Sequence, residues 1–146
     1  RGASMSDIFI PENIILNAHA NDKFEAITLT GNILKMNGYV TDKYVQRMKL
    51  REEIVSTYLG NGLAIPHGTD GSDCEIIKSG ISLVQFPDGI DFGDGNTAYI
   101  TIGIAGKEGE HMDLLNKIAL ICIEEKNVQA LRTANSIEYI LQVLNI

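Results

Sequence analysis

With 146 residues, 45% of them hydrophobic and 21% charged, the chain can bury one core and is composed like an ordinary globular protein. Its net charge of −7 argues against a nucleic-acid binder, which needs a basic stripe, and against attachment to anionic membranes, but it suits a partner with a basic face. No apolar run approaches the roughly 20 residues of a membrane span, and Pro11, Glu12 and Asn13 break the first apolar segment before it could act as a signal peptide.

The leader Arg1–Ser4 ahead of Met5 reads as an expression-tag remnant, leaving 5–146 as a single domain. In chain order, Asp22 with Glu25 three residues later forms a capping-box signature. Phe24, Ile27, Gly31 and Leu34 follow at helical spacing, up to Gly38 as a terminator. Thr41 is placed to cap a second helix reaching about Tyr58, with Tyr44, Met48, Ile54 and Val55 on one broad apolar arc. "LAIP" (63–66) reads as a short buried strand ending at Pro66.

Residues 79–86 and 97–105 alternate as strands, the second with Ile100, Ile102 and Ile104 on one face. The turn-rich segment "PDGIDFGDGN" between them predicts an antiparallel hairpin with a long loop. A long helix is expected from about Glu110 to Ile123, turning Met112, Leu115, Ile118, Ala119 and Cys122 inward. Two short helices start near Asn127 and Ser136. Short strands between helices point to an α/β sandwich with a mixed sheet. Cys74 and Cys122 lack metal-ligand spacing. Cys122 reads as a core thiol, a disulfide stays open, and a reducing cytoplasm is the simplest location.

Three residues stand out chemically. His67, between Pro66 and Gly68, should project from the carboxyl end of a strand, where open α/β sheets hold ligands; the plainer reading is a solvent-exposed loop histidine. His111 falls in the first turn of a helix following a strand, a setting that favours an anion and a neutral ring. Arg51 lies inside an apolar arc, so it must snorkel outward or meet an anionic partner.

His19 reads as a surface or capping residue, and Asp88, Asp91 and Asp94 as turn formers outside the calcium-loop pattern. There is no G-x-S-x-G elbow and no glycine-rich phosphate loop. Two histidines and an arginine suit a phosphohistidine carrier or, equally, a small anion-binding pocket. A hydrolytic metal site from His67, His111 and Asp113 is a weaker option, because no two of them share ligand spacing on one element.

"ENIILNAHANDKFEAI", "MNGYV", "REEIVSTYLGNGLAIPHG", "FPDGIDFG" and "ITIGIAGKEGEHMDLL" together resemble the enzyme IIA domain of the bacterial sugar phosphotransferase system, mannitol type, from about Ile8 to Leu144. The resemblance implies a mixed β-sheet covered by helices, with no metal and no cofactor. It also implies that His67 becomes a tele-phosphohistidine, taking the phosphoryl group from the phosphocarrier protein HPr and passing it to a cysteine of a mannitol-specific enzyme IIB, coupled to the IIC transporter. Arg51 and His111 would flank the phosphoryl group. The alternative is a regulatory relative, fructose-type or nitrogen-regulatory, whose phosphorylation state controls partner proteins. Because the chain stops soon after its last expected helix, a free-standing protein is expected rather than a domain cut from a longer transporter.

Overall fold

The computed structural model describes residues 5–107 and 109–146, so the tag remnant assigned to residues 1–4 lies outside the described residues. The elements are α1 (Met5–Ile8), β1 (Ile14–Ile15), α2 (Lys23–Met36), α3 (Asp42–Ile54), β2 (Tyr58–Gly60), β3 (Leu63–Ala64), β4 (Gly80–Gly93), β5 (Asn96–Ala105), α4 (Glu110–Cys122), α5 (Glu125–Thr133) and α6 (Ile137–Val143). The strands form one five-stranded sheet in the order β1-β4-β5-β3-β2. The β1–β4 and β3–β5 pairs are parallel, whereas β4–β5 and β2–β3 are antiparallel. The sheet is therefore mixed, as expected.

Alternation along β5 builds both cores. Ile100, Ile102 and Ile104 face Leu114, Ile118 and Leu131 of α4 and α5, and each full burial contributes roughly 1.5–3 kcal/mol. The intervening small residues let α2 approach the opposite face: a Cβ on Gly103 would sit 2.6 Å from Ser82 Oγ and 2.9 Å from Thr30 Cγ2. On that second face Ala26, Ile27, Leu34, Tyr44 and Met48 pack against Ala64, Val84, Phe86 and Ala105.

Helix α2 begins and ends as its sequence dictates. Asp22 accepts the Glu25 N–H at 2.8 Å, although the Glu25 carboxylate returns to Asn21 N (3.1 Å) rather than to Asp22. At the other end Gly38 has φ +87° and its N–H reaches Lys35 O, while Tyr39 N–H reaches Leu34 O, which together close a Schellman motif.

Several expectations are corrected. Helix α3 stops at Ile54 instead of Tyr58, because the Glu52 carboxylate takes the Thr57 N–H and hydroxyl and turns the chain away. Ile54 and Val55 are consequently 72% and 57% exposed, so only Tyr44 and Met48 belong to the buried arc. Thr41 occupies the N-cap position, yet its hydroxyl goes to Glu75 Oε1 at 2.5 Å.

The expected long loop is strand. β4 continues to Gly93 through register shifts between Gln85 and Ile90 and between Asp91 and Gly93, which absorb Pro87. The turn is only Asp94-Gly95, both left-handed at φ 54° and 79°, the two-residue form that matches strand twist. In α4, Leu114 is buried in place of Met112, which is 59% exposed, and of the half-buried Ala119. Helix α5 starts at Glu125, and Asn127 instead donates to Ile121 O. Ser136 does cap α6, accepting Tyr139 N–H at 3.1 Å. Cys74 and Cys122 are free thiols, the second buried, which pushes its pKa up to about 11.

Candidate functional site

Strand β3 is regular only over Leu63–Ala64, but its course continues. Ile65 N–H bonds Thr57 O, Pro66 O accepts from Ile104 N–H, and His67 bridges to Ile104 in parallel fashion. His67 thus stands at the carboxyl end of an internal strand, where its sequence setting places it. The ring is half-buried and Nδ1 lies 2.8 Å from Ile65 O. A carbonyl can only accept, so Nδ1 carries the hydrogen and Nε2 is left with the lone pair.

Gly68 is required for space and not for backbone freedom. Its φ is not left-handed; instead a Cβ there would lie 2.6 Å from Tyr44 Cε1 and 3.2 Å from Ser72 Cβ. The Tyr44 hydroxyl accepts the Gly68 N–H at 2.9 Å and donates to Ile104 O at 2.7 Å, joining the residue after His67 to the sheet. Burial pushes the Tyr44 pKa up to about 12, so the hydroxyl stays neutral.

His111 enters the first turn of α4, behind Gly109 at φ +89°. The chain can fold back there because Gly106 has no side chain; a Cβ would lie 2.3 Å from His111 Cα. The His67 and His111 rings sit with centroids 5.0 Å apart, tilted by 49°. Arg51, in the last turn of α3, is half-buried and donates from Nη1 to Val55 O at 2.6 Å. All three residues line one cleft of about 500 Å3. The structure thereby brings together residues separated by 60 positions.

The cleft keeps both rings neutral. Burial lowers the His67 pKa below its usual value; His111 and Arg51 act in the same direction, against the Ile65 hydrogen bond and Asp70. Burial likewise lowers His111, opposed by Asp73 and Asp70. A neutral imidazole with an open Nε2 is a nucleophile, and an arginine and a second imidazole are donors for the oxygens of an anion.

Sequence reasoning missed Tyr44, Asp70, Asp73 and Gly106, which also line the cleft. Only the turn-rich run after Gly68 hints at the aspartates. His19 is exposed and pairs with Asp88 at 3.2 Å, away from the cleft. Among the described residues no three His, Cys, Asp or Glu side chains converge as metal ligands, and Asp113 does not line the cleft with the two histidines.

A mixed sheet presenting an imidazole at a strand end, in one cleft with an arginine and a second histidine, is the arrangement of an α/β protein that handles an anionic group. The family described as "Phosphoenolpyruvate-dependent sugar phosphotransferase system, EIIA 2" matches residues 7–146, and the chain belongs to it. It is 52% identical over 134 residues to the mannitol-specific phosphotransferase enzyme IIA component of Geobacillus stearothermophilus, covering 92% of each chain. To the protein of the same name from Bacillus subtilis it is 48% identical over 138 residues, covering 94% of this chain and 96% of the relative. Among solved structures, a chain in the complex of mannitol enzyme IIA with phosphorylated enzyme IIB from Escherichia coli superposes with a TM-score of 0.89 at 34% identity. That match covers 94% of this chain and 99% of the other.

Proposed function

We propose that the chain is the enzyme IIA phosphocarrier of a mannitol uptake system. The observation that carries this reading is the His67 ring, tied at Nδ1 to Ile65 O in a cleft shared with Arg51 and His111. Nε2 attacks the phosphorus of phospho-HPr. A new N–P bond forms on His67 as the N–P bond to the HPr histidine breaks. A cysteine thiolate of the mannitol-specific enzyme IIB then attacks the same phosphorus, forming an S–P bond and returning His67 to the neutral ring. The IIC transporter uses that phosphoryl group on the incoming sugar.

Phosphoryl transfer asks a protein mainly for positioning and for charge stabilisation on the equatorial oxygens. Arg51 and His111 share the cleft with His67 and are the donors this reading assigns to the phosphoryl oxygens. A half-buried acceptor ring also fits a carrier that two proteins must reach in turn. The acidic surface favours fast, weak complexes with partners that offer a basic face. The chain works as one domain, without metal or cofactor, in the cytoplasm. Two relatives near 50% identity named as mannitol-specific support this reading over a regulatory output.

The test is intact mass after incubation with phosphoenolpyruvate, enzyme I and HPr, for wild type and His67→Ala, followed by addition of enzyme IIB. One acid-labile phosphoryl group on the wild type alone, removed by the mannitol enzyme IIB, is the expected result. A wild type that stays unmodified alongside a working control would overturn the carrier reading. A phosphorylated wild type that cannot pass the group on would mean a regulatory protein.

A further inference from the structure

Glu52 is a charged side chain with no place in the transfer chemistry, yet it is almost wholly buried. It sits in the last turn of α3, at the negative end of the helix dipole, where a carboxylate is disfavoured, and burial adds to the cost. Helix stability therefore does not explain it. Its partners do more. Oε2 pairs with Lys23 Nζ at 3.1 Å, while Oε1 accepts both the Thr57 N–H (2.8 Å) and the Thr57 hydroxyl (2.6 Å).

From Thr57 the hydrogen bonds lead to the cleft. Thr57 O accepts Ile65 N–H at 3.0 Å, and Ile65 O lies 2.8 Å from His67 Nδ1. We propose that Glu52 is a positioning residue for the phosphoryl acceptor: it pins Thr57, Thr57 pins Ile65, and the Ile65 carbonyl holds His67 in the Nδ1–H form that opens Nε2. This inference rests on the reading of His67 as the acceptor.

The coupling is geometric rather than electronic. The Ile65 N–H and the Ile65 carbonyl belong to different peptide units, and the second of these ends on Pro66, which has no N–H to extend the chain. What passes along the bonds is placement. The same anchor closes the segment holding Val55, whose carbonyl carries the Arg51 guanidinium. One buried carboxylate thus braces two sides of the cleft. Toward Thr57 one acceptor oxygen is what the role needs, and Gln at position 52 keeps it while giving up the 3.1 Å pair with Lys23.

The experiment compares wild type, Glu52→Ala, Glu52→Gln and Thr57→Val at pH 8, each shown to be folded by its amide spectrum. Two quantities are read: the tautomer of the His67 ring by long-range nitrogen-15 NMR, and kcat and KM for phosphorylation by HPr. Wild type should hold the Nδ1–H form. Glu52→Ala should lose that bias and lower kcat about tenfold, the rate equivalent of one lost hydrogen bond, with KM for HPr unchanged. Glu52→Gln should restore both, and Thr57→Val should fall between.

If a folded Glu52→Ala keeps the wild-type tautomer and kcat, the proposal is wrong. Should that variant not fold, Thr57→Val with unchanged tautomer and kcat overturns it equally. A tautomer shift without a loss of kcat also refutes it. Failure of the carrier reading looks different, because wild type would then accept no phosphoryl group whatever its tautomer.

Discussion

The two faces of the sheet each bury a hydrogen-bonded polar side chain, but to different ends. On the face covered by α4–α6, Gln85 Nε2 reaches Leu131 O and Ala134 O, both at 3.0 Å, and so satisfies carbonyls at the end of α5. On the face covered by α2 and α3, the buried Tyr44 hydroxyl spans Ile104 O and Gly68 N–H beside His67. Gln85 closes a helix; Tyr44 aims a residue in the cleft. Equal burial gives a structural part in one place and a functional part in the other. What separates them is the partner, not the polar group.

The comparison can be broken first at the cleft. His67→Ala should abolish phosphorylation, and Arg51→Ala should slow transfer by about 10²–10³-fold, the usual cost of one donor to developing charge. Single-turnover transfer from phospho-HPr measures both. Unchanged rates in Arg51→Ala would place charge stabilisation elsewhere.

Next in size is Tyr44→Phe, which leaves the Gly68 N–H without its 2.9 Å acceptor. We expect a loss of about 1–3 kcal/mol in stability by urea denaturation, together with slower transfer. Gln85→Leu should cost a similar amount on unfolding while transfer stays at the wild-type rate. If Gln85→Leu also slowed transfer, the two faces would not be separable.

The smallest effect concerns pH. Both histidines titrate below the ordinary value of 6.5, so each binds fewer protons folded than unfolded. Their stabilising contribution is complete above pH 6.5 and is lost as pH falls through the lowered folded values. Transfer should follow the same window, because a protonated Nε2 has no lone pair to give. A pH–rate profile with its acid limb below 6.5 is expected, and a limb at or above 6.5 would contradict the burial argument.

Much of the frame was legible because it depends on neighbours within a turn or two. The Asp22 cap, the Gly38 stop and the alternation of Ile100, Ile102 and Ile104 are local patterns, and each occurs as expected. His67 was legible for the same reason, since Pro66 and Gly68 flank it directly. Legibility failed where distant residues decide. The end of α3 depends on where the Glu52 carboxylate finds Thr57, and the length of β4 on bulges paired against β5. Met112 follows the helical period but is 59% exposed and lines the cleft instead of joining the core.

The sequence by itself determined the Asp22 cap, the Gly38 stop, the alternation of β5 and the mixed-sheet α/β class, because backbone preference and hydrophobic period act over a few positions. Tertiary structure alone decided that Gly68 must be small, since the ring it would strike belongs to Tyr44, 24 residues earlier. It alone brought Arg51 and His111 to His67, and it alone made the rings neutral and chose the tautomer. Burial and hydrogen-bond partners are properties of the packed chain, and no local stretch contains them.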